Sequence, residues 1–333
     1  MELAAELLGA RFKNPVLLAA GTCGFGEEIQ GVVDLGLLGG LVTKSVTLEP
    51  RRGNPAPRVT EFRAGMLNSV GLANPGARAV LAEKLPWIRD HLDGLPVLVS
   101  VAGHRVEEYW EVVETLEPGP GFVGFELNLS CPNDARRNGL PFALDPDALL
   151  RVVSGARERT RRPLLVKLAP NTADWGPVVH AAEEAGASAL TLVNTLPGLL
   201  LDPRNRRPLL GAGAGGVSGP ALRALGVYAV WTVARMTRLP ILGVGGISSG
   251  EDAAEYLLAG ASLVQIGTAS FWDPRAPARV VDELRRFGIS QGVHRVSELV
   301  GAALPPPEPE MSDPAGTRDG MGASGGDSGV IHG

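Results

Sequence analysis

The 333-residue chain reads as an α/β protein, a (β/α)8 barrel of the TIM type followed by a short tail, on three observations. Short β-rich runs recur eight times, amphipathic helix-like stretches lie between them, and the alternation extends along almost the whole chain. An open doubly wound sheet is the alternative architecture, but a single barrel of about 250 residues or more accounts for the length without a second domain.

The runs fall at 15–20, 41–45, 96–101, 123–129, 163–168, 188–194, 239–244 and 262–267. PVLLAA, LPVLVSV, PLLVKLA, ALTLVN and LPILGV represent them, nearly continuous in apolar residues as strands buried on both faces are, so parallel pairing is expected. Helices are predicted for EEIQGVVDLGLL (27–38), PDALLRVVSGARERT (146–160), ADWGPVVHAAEEAG (173–186) and GEDAAEYLLAG (250–260), the last two stopping at a C-terminal glycine. Long Gly-, Pro- and Asn-containing loops follow the second run (46–75), the fourth (131–145) and the sixth (195–219), on the face where such barrels carry their active sites. The barrel domain is taken as 1–304. From 305 to 333 twelve of 29 residues are Gly or Pro, with five acids and one Arg, which predicts a disordered acidic tail.

Composition removes several function classes. Apolar residues at 44% and charged residues at 20% suit a globular core, and a net charge of −5 gives no field for nucleic acid or anionic lipid. With no apolar run of membrane-spanning length, and with Glu2 and Glu6 in place of a basic leader, a cytoplasmic protein is expected. Two cysteines, Cys23 and Cys131, are too few for a disulfide framework, a four-Cys zinc site or an iron–sulfur cluster held by four thiolates, and the five histidines show no ligand spacing. No metal site is expected.

The chain holds 27 Arg and only four Lys, so a lysine inside an apolar run calls for a reason; Lys44 and Lys167 are such residues. With eight strands in place, their C-terminal ends bring Ala20, Gly21, Lys44, Ser100, Asn128, Cys131, Lys167, Asn194, Thr195, Gly245, Gly246, Gly267 and Thr268 to one face. A buried lysine is costly without an anion, so either a bound anion or electron-rich ring, or a structural ion pair, is implied. GVGGIS and IGTAS end the last two runs with small residues before helices, leaving N–H groups for a phosphate. GAGAGG at 211–216 matches a dinucleotide fingerprint only formally, since it lies in a loop with no acidic residue about twenty positions on. Cys131, in NLSCPN at the root of a loop, suits a base or nucleophile, or a buried packing thiol; Cys23 is read as packing. Asn68, Asn128, Asn133 and Asn194 together could read a flat ring of alternating C=O and N–H groups. A Schiff-base aldolase using Lys167 is the rival from another enzyme class.

AAGTCGFGEE, VTKSVTLEPRRGNPAPR, GMLNSVGLANPG, LPWI, VAG, ELNLSCPN, VKLAPN, NTLPG, SGPAL, GVGGI and AGASLVQIGTA, in this order over about residues 3–300, make the chain similar to dihydroorotate dehydrogenases of the cysteine-containing class 1, and NPAPR and LPWI liken it to the type B catalytic subunit. The resemblance implies an FMN-binding TIM barrel that oxidises dihydroorotate to orotate in pyrimidine (UMP) biosynthesis. Cys131 would be the general base that removes the C5 proton while hydride leaves C6 for the flavin. Lys44, Asn68, Ser69, Val70, Gly71, Leu72, Asn128, Asn133, Asn194 and Thr195 fall at substrate positions. Ala20, Gly21, Lys44, Ser45, Ser100, Asn128, Lys167, Val193 and Gly219 fall at FMN positions, with Gly245, Gly246, Gly267 and Thr268 around its phosphate. Ser100 and Ala20 depart from the commoner Asn and Ser, and NGLPFAL from the usual glycine pattern after the cysteine. Type B further implies a homodimer within a heterotetramer, in which a partner subunit with FAD and a [2Fe–2S] cluster reduces NAD. A type A enzyme reoxidised by fumarate is the alternative.

Overall fold

The computed structural model describes residues 1–130 and 141–306, so Cys131, Asn133 and nearly all of the expected tail lie outside the described residues. Eight parallel strands close into a barrel: β1 (Val16–Leu18), β2 (Gly40–Val42), β3 (Val97–Val101), β4 (Gly124–Asn128), β5 (Leu164–Lys167), β6 (Ala189–Leu192), β7 (Ile241–Val244) and β8 (Leu263–Ile266). Each pairs with its neighbours in chain order, and β8 returns to β1 through Val264 and Val16. All eight predicted runs are these strands.

Alternation along the strands divides the apolar residues between two cores. Outward residues such as Val16, Leu18, Val99, Phe125, Val166 and Ile266 pack under the helices. Inward residues Leu17, Val42, Leu98, Leu165, Ala189, Leu242 and Leu263 gather around Phe12 at the closed end. Phe12 ends a hairpin, Ala5–Leu7 with Ala10–Phe12, that stoppers the barrel from below.

The helices at Pro146–Arg159, Trp175–Glu184 and Gly250–Leu258 form where the amphipathic stretches predict them. Asp145, Asp174 and Ser249 cap their first turns with side-chain oxygens. The last two end in Schellman turns, in which Ala187 N–H reaches Ala182 O and Ala261 N–H reaches Tyr256 O.

The helix expected over 27–38 does not form. The segment is a run of turns with a single 3-10 turn at Leu35–Leu37, because the Asp34 carboxylate accepts from the Gly36 N–H, while Gly31 and Gly36 weaken any helix around it. Two of the long loops are also more ordered than a loop. Val59–Phe62, Gly65–Asn68, Gly215–Ser218 and Leu196–Gly198 make a four-stranded antiparallel sheet, joining 46–75 to 195–219 on the C-terminal face of the barrel. No helix among the described residues is long and apolar enough to cross a membrane.

Candidate active site

The C-terminal ends of the strands and the four-stranded sheet enclose a cavity of about 650 Å³, a size that suits a cofactor-sized ligand. Its walls come from residues far apart in sequence. β1 and β2 lead into Ala20, Gly21, Lys44 and Ser45, β4 and β5 deliver Asn128 and Lys167, and β6 leads into Val193, Asn194 and Thr195. The sheet and the turn after it add Asn68, Ser69, Val70, Gly71 and Leu72, and Gly219, Gly245, Gly246, Gly267 and Thr268 close one corner. Leu72 holds φ +55°, a left-handed conformation that costs a bulky residue energy and marks this turn as strained.

Ser100 lies behind the cavity wall. It is wholly buried, is not part of the cavity wall, and shares a 2.8 Å hydrogen bond with Ser45. From Ser45 a polar chain crosses the mouth: Asn128 Nδ2 donates to Ser45 Oγ at 3.2 Å, and Asn194 Nδ2 donates to Asn128 Oδ1 at 2.9 Å. Asn68 ends a strand rather than sitting within a turn, and donates to Gly216 O across the sheet.

The glycine corner is shaped for a ligand with many oxygens. The N–H groups of Gly246, Gly267 and Thr268 make no hydrogen bond within the described residues. A Cβ at Gly246, which has φ +74°, would stand 2.8 Å from Arg223 N and 2.9 Å from Gly219 O, so the backbone there approaches as closely as glycine alone permits. Unengaged N–H groups of small residues at a cavity wall suit a phosphate. The 211–216 glycines instead border and enter the antiparallel sheet, with no strand-to-helix turn for a dinucleotide.

The two lysines differ. Lys167 pairs with Glu126, Nζ to Oε1 at 3.2 Å, so the structural ion pair exists and Lys167 alone no longer demands a bound anion. Its amine is committed as a donor to a carboxylate, which disfavours the imine-forming role. Lys44 has no ion pair within 4.0 Å among the described residues. Burial pulls its ammonium below the ordinary lysine range, against the pull of Glu28, and Arg58 lowers it further. A partly buried cation at a cavity wall is open to an anionic ligand. Cys23 packs in the core, its thiol pushed up to about 12 by burial and donating to Val42 O.

Glu126, Thr191 and Gln265 were not foreseen. Thr191 Oγ1 and Gln265 Nε2 donate to Glu126 Oε2 at 2.9 and 2.8 Å, making a buried network inside the barrel. The signal at Glu126 was available, an acid within the apolar strand FELNL, the same kind of exception that marks Lys167.

Comparison with known proteins agrees with this geometry. The family model described as Dihydroorotate dehydrogenase matches residues 2–287. A protein of Solibacter usitatus named for dihydroorotate dehydrogenase A (fumarate) is 50% identical over 302 residues, covering 90% of this chain and 98% of its own. Dihydroorotate dehydrogenase B (NAD(+)) catalytic subunits of Desulforudis audaxviator and Geobacter metallireducens are 46% and 42% identical, covering 91% and 90% of this chain and 98% of theirs. With a family model that spans nearly the whole barrel and relatives that align almost end to end, the chain belongs to the dihydroorotate dehydrogenase family, a family of flavin-dependent oxidoreductases.

Proposed function

We propose that this chain is the catalytic subunit of a type B enzyme: it binds one FMN, oxidises dihydroorotate to orotate, and passes the electrons to a partner subunit carrying FAD and a [2Fe–2S] cluster, which reduces NAD. The observation that carries the FMN assignment is the cavity itself, whose wall holds both a glycine corner of unengaged N–H groups and Lys167. A phosphate suits the first, and the electron-rich pyrimidine edge of a flavin suits the second. FMN bound there would supply the acceptor for the hydride that leaves dihydroorotate.

The protein's own part follows from its residues. Lys44, half-buried and without an ion pair among the described residues, offsets the substrate carboxylate. The amides of Asn68, Asn128 and Asn194 meet the ring's alternating C=O and N–H groups, and Asn133 is assigned to the same set by sequence. Cys131, three positions beyond Asn128 at the end of β4, takes the C5 proton; that assignment rests on the SCPN motif. Two cysteines cannot supply the four thiolates of an ordinary [2Fe–2S] cluster, which supports a separate electron-transfer subunit, as do the names of the type B relatives.

A fumarate-linked type A enzyme is the second reading, favoured by the 50% identical Solibacter relative. One anaerobic experiment separates the possibilities. The purified chain is expected to be yellow and to bleach on dihydroorotate, and NAD is expected to restore the colour only when the partner subunit is added. Reoxidation by fumarate at turnover rate would replace type B with type A, and a yellow chain that dihydroorotate leaves unbleached would remove the substrate assignment.

A further inference from the structure

Beneath the cavity floor, Glu126 lies fully buried in β4 and outside the cavity wall. Its carboxylate is held from three other strands: Lys167 of β5 at 3.2 Å, Thr191 of β6 at 2.9 Å and Gln265 of β8 at 2.8 Å. Among the described residues three donors and no acceptor face it, the surroundings of an anion. Among the described residues the buried charged side chains are Glu126, Lys167 and Asp252, and Asp252 belongs to the capping box of the Gly250–Leu258 helix. Glu126 and Lys167 are therefore the two enclosed charges of the barrel lumen, with only Lys167 at the cavity wall.

At every point in the cavity the potential of the carboxylate is opposite in sign to that of the ammonium, and low-dielectric walls keep both effective. We infer that Glu126 is a positioning residue that fixes Lys167 through Oε1 and offsets its charge, so that the site's preference for reduced, anionic flavin over oxidised flavin is lower than Lys167 alone would set. The inference rests on the proposal that the cavity takes FMN, and adds to it a residue that never touches the ligand.

Glu126→Gln tests this with little change of shape. The amide keeps an acceptor for Lys167, and Gln265 Oε1, which has no hydrogen-bond partner among the described residues, is available to its new N–H once the Gln265 amide turns. Flavin-free full-length chain is reloaded with FMN, and its midpoint potential is read by anaerobic titration against a reference dye. The expected result is a shift of at least about tenfold toward binding reduced FMN, about 30 mV for a two-electron couple. An unchanged potential in variant that holds FMN would make Glu126 purely structural, and a lowered potential would reverse the assigned sign; either overturns the inference. Thr191→Val, nearly the same shape, removes one donor and leaves the carboxylate charge less offset, so it is expected to shift the preference about two- to threefold the opposite way. It decides the matter if Glu126→Gln does not fold, since no shift or an upward one overturns the inference. A wild-type chain that takes up no FMN overturns the functional proposal and this inference together, whereas wild type that binds FMN beside an unshifted variant removes the inference alone.

Discussion

The two ends of the barrel are made from the same eight strands and contain opposite chemistry. At the closed end Phe12 meets Leu17, Val42, Leu98, Leu165, Leu242 and Leu263 in a buried apolar cluster. Two positions further along, the inward residues include Ser100, Lys167, Thr191 and Gln265, with Glu126 of β4 beside them, all buried and joined in hydrogen-bonded sets. Apolar burial at about 25 cal/mol per Å² stabilises the first end. At the second end each polar group must be paired to avoid a desolvation penalty, so the charges there do less for stability than for placing Lys167 at the cavity wall. One end of the lumen holds the barrel together and the other holds a ligand.

Cys131→Ser is expected to give the largest separation between the two ends. On the proposed role, a hydroxyl replaces a thiol as base near neutral pH, and flavin reduction by dihydroorotate should slow by about 10²–10⁴-fold or more, while FMN content and melting temperature hold. Stopped-flow bleaching of the bound flavin measures it. Wild-type speed would remove the base assignment.

Phe12→Ala is the complementary change at the closed end. Phe12 has no solvent exposure and stands at the centre of the inner apolar cluster, so truncation should cost about 3–5 kcal/mol of stability through lost burial and a residual cavity. The rate of reduction per bound flavin should be unaltered at temperatures where the variant remains folded. Denaturant melts beside the stopped-flow rate check both halves; a large loss of rate would show that the two ends are coupled.

The same division explains what the sequence made legible. Strands buried on both faces are written as continuous apolar runs, so all eight were readable, and lysines or glycines at their C-terminal ends stood out against that background. The polar network was not readable, because Glu126 meets its partners only after β4, β5, β6 and β8 are folded round it. Nor was the antiparallel sheet, whose Met66–Ser218 pairing joins segments more than 150 positions apart, through strands too Gly-rich to show alternation. The segment 27–38 had helical periodicity but lost to local chemistry, as the Asp34 side chain turned to its own backbone.

Lys44 tests the mouth by a smaller effect, one whose sign separates its two contributions. Burial lowers its proton affinity below that of an unfolded lysine, so on raising the pH the folded chain gives up this proton first. Between the lowered value and the ordinary 10.5, unfolding takes up a proton, and Lys44's contribution to stability therefore rises with pH as the cost of a buried charge disappears. Affinity for orotate, whose carboxylate stays ionised throughout, should fall across the same window, by about tenfold once the ammonium is lost. The two readouts thus move in opposite directions. Orotate titrations followed by the flavin spectrum, and denaturant melts of ligand-free chain, each compared with Lys44→Met to remove every other titrating group, measure them. Affinity that held until the pH of an ordinary lysine would mean that Lys44 is as well solvated as a surface residue, and the contrast between a dry apolar end and a desolvated, charged mouth would then be confined to Lys167 and the carboxylate beneath it.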